Sequence, residues 1–209
     1  MLWVQLLHLV KILAIKTYFK YGTMNCGKTM ELLSNAHNYN SKGVRAFLLS
    51  PRIDTRNGVG NIVARAGLSA QADFIIDDHP TVGLSSIIKK AYYNNGVLMV
   101  DEAQFLTPET VHSIVKQCKD LDYENSSSND NFALLAYGLL TDFKDNLFPG
   151  SKAWVEEADS LHEIKTVCHY CNRKATRNLL TKHTSDSEIQ IGDGEYRDWE
   201  KIKIGRAHV

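Results

Sequence analysis

The sequence predicts an α/β fold, a mostly parallel sheet with flanking helices, and three observations carry that reading. The first is Gly22-Thr23-Met24-Asn25-Cys26-Gly27-Lys28-Thr29, which satisfies G-x-x-x-x-G-K-[ST] at every fixed position. The second is the alternation of short apolar, β-branched runs with breaker-free stretches at helical spacing. The third is Val97-Leu98-Met99-Val100 running directly into Asp101-Glu102, an apolar strand that ends in two carboxylates.

The elements follow in chain order. Residues 15–21 are β-branched and aromatic and read as a strand leading into the glycine loop. A helix is expected to start near Lys28 and run on through residues 29–37, with Gly43 closing that region. Residues 44–50 read as a buried strand, 51–60 as a polar loop and 73–76 as a short strand. Residues 82–93 carry apolar side chains at helical spacing, and Gly96 precedes the strand at 97–100. Thr107 is placed to cap a helix over 108–121 whose first position is Pro108. Residues 125–131 form a polar low-complexity loop, and 132–137 a further strand. Residues 154–164 read as a helix with a Glu-rich face. From about residue 166 short polar segments and Cys168-His169-Tyr170-Cys171 indicate a small second module, so the chain divides into 1–15, 16–165 and 166–209.

The motifs specify chemistry. Two glycines let the loop backbone curl so that successive N–H groups face phosphate oxygens, the arrangement of a P-loop. Lys28 then reaches the β- and γ-phosphates, the Thr29 hydroxyl ligates Mg²⁺, and the start of the following helix adds its positive dipole end. Asp101 at the end of its strand is expected to hold the same Mg²⁺ through water, and Glu102 to act as a general base on the nucleophile. Asp54-Thr55-Arg56 lies in the loop after the second strand. An arginine there either stays solvated or stabilises transferring phosphoryl charge, and the sequence leaves both open. The aromatic residues in 137–143 and 147–152 suit stacking on a flat base, although for each phenylalanine alone ordinary packing is the better reading.

Composition sets the bounds. The chain has 209 residues, enough for one domain and a small appendage, and 44% hydrophobic content is that of a globular protein. Lys plus Arg and Asp plus Glu both number 24, so there is no overall basic footprint for nucleic acid. Four cysteines at this length do not make a disulfide scaffold, which fits reduced thiols in a cytoplasmic setting. Asn125-Ser126-Ser127 fits the glycosylation sequon, but nothing else points to secretion. Residues 1–15 are apolar yet too short to span a membrane, are interrupted by Lys11, and lack the flanks of a signal peptide. They read as an apolar extension or as upstream sequence translated from a wrong start codon.

These residues together resemble the type II (cytosolic and bacterial) thymidine kinase family. The matching stretches are 21–29, Asp101-Glu102-Ala103-Gln104-Phe105-Leu106, 137–143, Phe148-Pro149-Gly150-Ser151-Lys152, 165–175 and Ile189-Gln190-Ile191-Gly192. The resemblance implies a RecA-like sheet and transfer of the ATP γ-phosphoryl group to the 5′-hydroxyl of thymidine, with Mg²⁺. Glu102 stands at the family's catalytic base. Residues Gly22 to Thr29, Asp54, Thr55, Arg56, Asp101 and Gln104 fall on its nucleotide side. Met24, Phe105, Leu139, Phe143 and Phe148 fall on its thymidine pocket. Ile189, Gln190, Ile191, Gly192 and Tyr196 match a lasso that closes over the nucleoside. Cys168 and Cys171 match half of a structural Zn²⁺ site in a zinc-ribbon module. Relatives commonly form tetramers, and no nucleic-acid or membrane partner is implied.

The chain departs from that pattern near its end. Zinc in such a site takes four ligands, and no second cysteine pair follows Tyr196. His208 stands at an irregular place for a third ligand. Asp193 replaces a second glycine and the spacing to Tyr196 is one residue short. Ile204-Gly205-Arg206-Ala207-His208-Val209 reads like a translated sequencing adapter, so the module is expected to be truncated. Two other readings share the phosphate loop and Asp-Glu pair: a RecA-like ATPase acting on nucleic acid, with Glu102 activating water, and a catalytically impaired kinase remnant.

Overall fold

The computed structural model describes residues 15–125, 132–180 and 202–205. The elements are β1 (Lys16–Tyr21), α1 (Lys28–Ser41), β2 (Ala46–Pro51), β3 (Asn61–Val63), β4 (Ser69–Gln71), β5 (Phe74–Ile76), α2 (Val82–Tyr93) and β6 (Val97–Val100). A 3₁₀ turn (Ala103–Phe105) follows, then α3 (Pro108–Asn125), β7 (Ala133–Gly138), α4 (Pro149–Glu157), β8 (Ser160–Glu163), β9 (Arg177–Leu180) and β10 (Ile202–Gly205).

Six strands form one sheet in the order β5-β2-β6-β7-β1-β8, and every neighbouring pair is parallel. Parallel pairing collects the carboxyl ends of the strands along one edge, the edge at which α/β sheets bind ligands. The glycine loop leaves β1 there, Asp101 leaves β6, and Leu139 leaves β7 between them.

Alternation along each strand divides the core between two faces. Leu98, Val100, Leu134 and Ala136 pack with Leu84 and Ile88 of α2, Ile114 and Cys118 of α3, and Trp154 of α4. Val97, Met99, Leu135 and Tyr137 pack with Leu32, Leu33 and Ala36 of α1 and with Ile62 of β3. Burial on both faces explains why these strands read as continuous apolar runs. Thr107 caps α3 as expected, its hydroxyl accepting from the Thr110 N–H at 3.2 Å.

The expected helix over 154–164 is corrected. Helix α4 begins earlier, at Pro149, and ends at Glu157. The chain then runs as β8, parallel to β1 at the sheet edge. Asp159 decides this: its N–H donates to the Thr17 carbonyl at 2.9 Å, and its Oδ2 accepts from the Thr17 N–H at 2.8 Å. That backbone pairing aligns residues 160–163 with β1 before a further helical turn forms. Past the loop at 52–60, β3 and β4 form an antiparallel hairpin that local patterning did not predict.

Candidate active site

The glycine loop adopts the backbone its sequence requires. Gly27 sits at φ +91°, the left-handed region that glycine enters without steric penalty, and Asn25 at φ 60°. Gly22 is required by close approach, because a Cβ there would meet Cys26 Sγ at 2.5 Å and the Ile164 carbonyl at 2.6 Å. Helix α1 starts at Lys28, directly after the loop. The Lys28 ammonium donates to the Thr23 carbonyl at 2.9 Å, held against its own loop. Burial pushes the Cys26 thiol up, with Lys28 working in the opposite direction.

The two carboxylates are buried rather than solvated. Asp101 is 4% exposed and Glu102 is 7% exposed. The Thr29 hydroxyl donates to Asp101 at 3.2 Å, bringing both oxygen donors to one point beside the loop. Glu102 has φ 45°, a left-handed conformation rare for a non-glycine residue and frequent where side-chain placement is functional.

Two groups hold the Glu102 carboxylate. Arg56 Nη2 donates to Oε1, and Gln104 Nε2 donates to Oε2 at 2.6 Å. Arg56 also grips Asp54 through Nε at 2.7 Å and Nη2 at 3.0 Å, so one guanidinium joins the loop after β2 to the end of β6. Gln104 is itself oriented, its Oε1 accepting from the Leu139 N–H at 3.0 Å. Only one amide orientation serves both neighbours, since Glu102 only accepts and the Leu139 N–H only donates.

These contacts split the acidic pair. Burial raises the Glu102 pKa, but Arg56, Lys28 and Gln104 outweigh it and hold the carboxyl below the usual glutamate range. Burial and then the Glu102 charge push Asp101 above the usual aspartate range, against Thr29 and Arg56. Burial also opposes the Arg56 charge, and Glu102 and Asp54 more than compensate, keeping the guanidinium protonated.

A cavity of about 720 Å³ opens over this arrangement. Its wall includes Met24, Asn25, Gly27, Lys28, Thr29, Asp54, Thr55, Arg56, Asp101, Glu102 and Leu139, so residues named from four separated stretches of the sequence meet at one site. Gln104 lies behind it, buried at 2% exposure. Phe148 packs with Met24 and Leu139 in one apolar cluster, and Phe105 meets Phe148 edge-on at 6.3 Å between ring centroids. Phe143 is half-buried, with the Lys144 ammonium 5.7 Å from its ring centre. Ile189, Gln190, Ile191, Gly192, Tyr196 and His208 lie outside the described residues.

Some of the site had no signal in the motifs. Val63, Ala64, Arg65 and Ala66, on and just after β3, form a wall of the cavity. Asn178 on β9 reaches the glycine loop from 154 residues away, its Oδ1 accepting from the Met24 N–H at 2.8 Å.

Among the described residues no group of three or more His, Cys, Asp or Glu side chains could hold a metal ion. Structural zinc takes about four ligands, of which Cys168 and Cys171 could supply two. Cys168 is buried among Met24, Leu139, Phe148 and Ala175, and its sulfur accepts from the Tyr170 N–H at 3.4 Å. The module rests on the site through apolar packing and through Asn178.

A parallel sheet with a glycine loop after β1, a buried acid after β6 and a cavity between them defines a phosphate-loop nucleotide-binding protein. A family model described as thymidine kinase matches residues 15–199, and the chain belongs to that family. It is similar to the thymidine kinase of Streptococcus gordonii, 40% identical over 183 residues that cover 85% of this chain and 89% of the relative. The thymidine kinase of Rhodopirellula baltica is 40% identical over 192 residues, covering 91% of this chain and 81% of the relative. Among solved structures, the Pif1 helicase of Candida albicans aligns with a TM-score of 0.39 at 14% identity, over 77% of this chain and 38% of that one. A likeness that low carries no weight for fold or function.

Proposed function

We infer that this chain is an ATP-dependent thymidine kinase, transferring the γ-phosphoryl group to the 5′-hydroxyl of thymidine. The observation that carries the reading is Glu102, a buried carboxylate gripped by Arg56 and Gln104 at the wall of the cavity that the phosphate loop lines. A carboxylate held below its usual pKa is ionised at neutral pH and ready to accept a proton. In the proposed step the 5′-oxygen bonds to the γ-phosphorus and its proton passes to Glu102. The bond from that phosphorus to the bridging oxygen breaks, and ADP leaves with the electron pair.

The remaining roles follow from position. Gly22 to Thr29 cradle the phosphates, and Lys28 exchanges the Thr23 carbonyl for phosphate oxygens. Asp54, Thr55 and Arg56 face the nucleotide, and Arg65 adds a further cation at the cavity wall. Thr29 and Asp101 form an all-oxygen pair that fits Mg²⁺, which when bound neutralises phosphate charge. Met24, Leu139, Phe105, Phe143 and Phe148 serve the nucleoside, with Ile189 to Gly192 and Tyr196 as its lid. A RecA-like sheet, a tetramer and a cytoplasmic setting extend the same family reading. No helix among the described residues is long and apolar enough to cross a membrane.

ADP release measured with ATP alone, with thymidine and with single-stranded DNA tests the reading. Release that requires thymidine and matches thymidine monophosphate one for one is expected. DNA-dependent release, or none under any condition, would sink it. Arg56→Ala is expected to lower kcat by about 100-fold, the scale of losing one donor to transferring charge. Steady-state kinetics checks this, and an unchanged kcat removes Arg56 from the chemistry.

A further inference from the structure

We propose that Asn178 is a positioning residue for phosphoryl transfer, setting the spacing between the phosphate loop and the acceptor-side loop after β7. The inference rests on the kinase reading, which makes the first loop the donor's and the second the nucleoside's. Asn178 lies on β9, in the module that follows the main sheet, and is 5% exposed. Its Oδ1 accepts from the Met24 N–H at 2.8 Å and its Nδ2 donates to the Thr141 carbonyl at 3.1 Å. The amide orientation is forced, since one partner can only donate and the other only accept. The loops are joined at their bases by the Gly22 N–H donating to the Gly138 carbonyl at 3.3 Å, and beyond that point one planar side chain spans them and its length fixes their separation.

The surroundings make that strut decisive. Apolar contacts among Met24, Leu139, Phe148, Cys168 and Ala175 also join the loops, but such contacts are non-directional and permit sliding. The hydrogen bonds supply direction. The Met24 N–H, committed to Asn178, is withheld from phosphate, so the cradle is built from the later loop residues at a set distance from Leu139. In-line transfer demands that donor phosphorus and acceptor oxygen be placed closely, and an error of about 1 Å costs on the order of 100-fold in rate. The same residue explains how a module whose described residues place no ionisable group at the cavity wall bears on turnover: it acts through the backbone of the phosphate loop.

The test compares the full chain with Asn178→Ala and Asn178→Asp. Each is assayed well below its own melting temperature, so that the population is folded. Asn178→Ala is expected to lower kcat for thymidine by about 10- to 100-fold, with the ATP dissociation constant within about 3-fold because Lys28 and the later N–H groups remain. ADP formed per thymidine monophosphate should rise above one, because a misplaced hydroxyl lets water compete. Asn178→Asp keeps an acceptor for the Met24 N–H and loses the donor to Thr141, so it should fall between. A folded variant with wild-type kcat overturns the proposal, as does a loss of kcat at an unchanged product ratio. If Asn178→Ala does not fold, Asn178→Asp decides by the same two readings. A wild-type chain that does not phosphorylate thymidine would instead overturn the kinase reading, which separates the two failures.

Discussion

Glu102→Gln is expected to lower kcat for thymidine by about 100- to 10,000-fold while ATP binding stays within a few-fold, the range lost when a positioned general base is removed. The substitution preserves shape, so the 3₁₀ turn that follows should stand. It removes the charge that draws Arg56 across the cavity and leaves one of two donors, Arg56 Nη2 or Gln104 Nε2, facing an amide NH₂. Arg56 retains Asp54, so the loop after β2 keeps its anchor. ATP affinity should hold because Glu102 lies past the phosphate cradle and carries a charge that repels the nucleotide. Single-turnover phosphorylation with an independent ATP titration separates the effects. Full turnover by Glu102→Gln would take the residue out of the base role.

Gly150→Ala is expected to destabilise the protein by about 3 kcal/mol, the upper part of the range for overpacking. At this chain length that corresponds to a melting temperature lower by about 6–12 °C. Gly150 lies in the first turn of α4, directly against the segment that carries Glu102 and Gln104. A Cβ there would meet the Leu106 carbonyl at 2.3 Å, the Gln104 carbonyl at 2.8 Å and the Ala103 carbonyl at 3.2 Å. All three are backbone atoms and cannot swing aside. Relief has to come from shifting α4 or the turn, and Trp154, whose Nε1 donates to the Ala103 carbonyl at 3.2 Å, ties them together. Turnover should therefore fall with stability. Lys152→Ala, exposed on the same helix, controls for the alanine itself and should melt near the wild-type temperature. A wild-type melting temperature for Gly150→Ala would show that the interface has slack.

Much of the main sheet was legible because its strands are buried on both faces, and Thr107 before Pro108 marks the start of α3. Gly22 to Thr29 could be read because a contiguous loop with glycines at fixed positions encodes its own curl. Asp101-Glu102 could be read because a strand's end fixes where the next side chains emerge. Residues 154–164 were misread because glutamates at helical spacing look the same in a helix and beside a sheet edge, where Asp159 pairs with Thr17. The β3–β4 hairpin was missed because three-residue strands are too short to establish a period. The zinc expectation rested on a pair of cysteines whose further ligands would have to come from elsewhere in the chain.

The sequence by itself determined the phosphate loop, the acid that follows β6 and the parallel α/β arrangement, since each depends on neighbours within a few residues. Only the tertiary structure decided how the site is held together. Arg56 meets Glu102 across 46 residues, Gln104 meets Leu139 across 35, and Asn178 meets Met24 across 154. Such pairs are chosen by where strands and loops come to rest, and a hydrogen bond leaves no periodicity in the chain to mark its partner. The chemistry was therefore written locally, and the distances that make it work were set by packing.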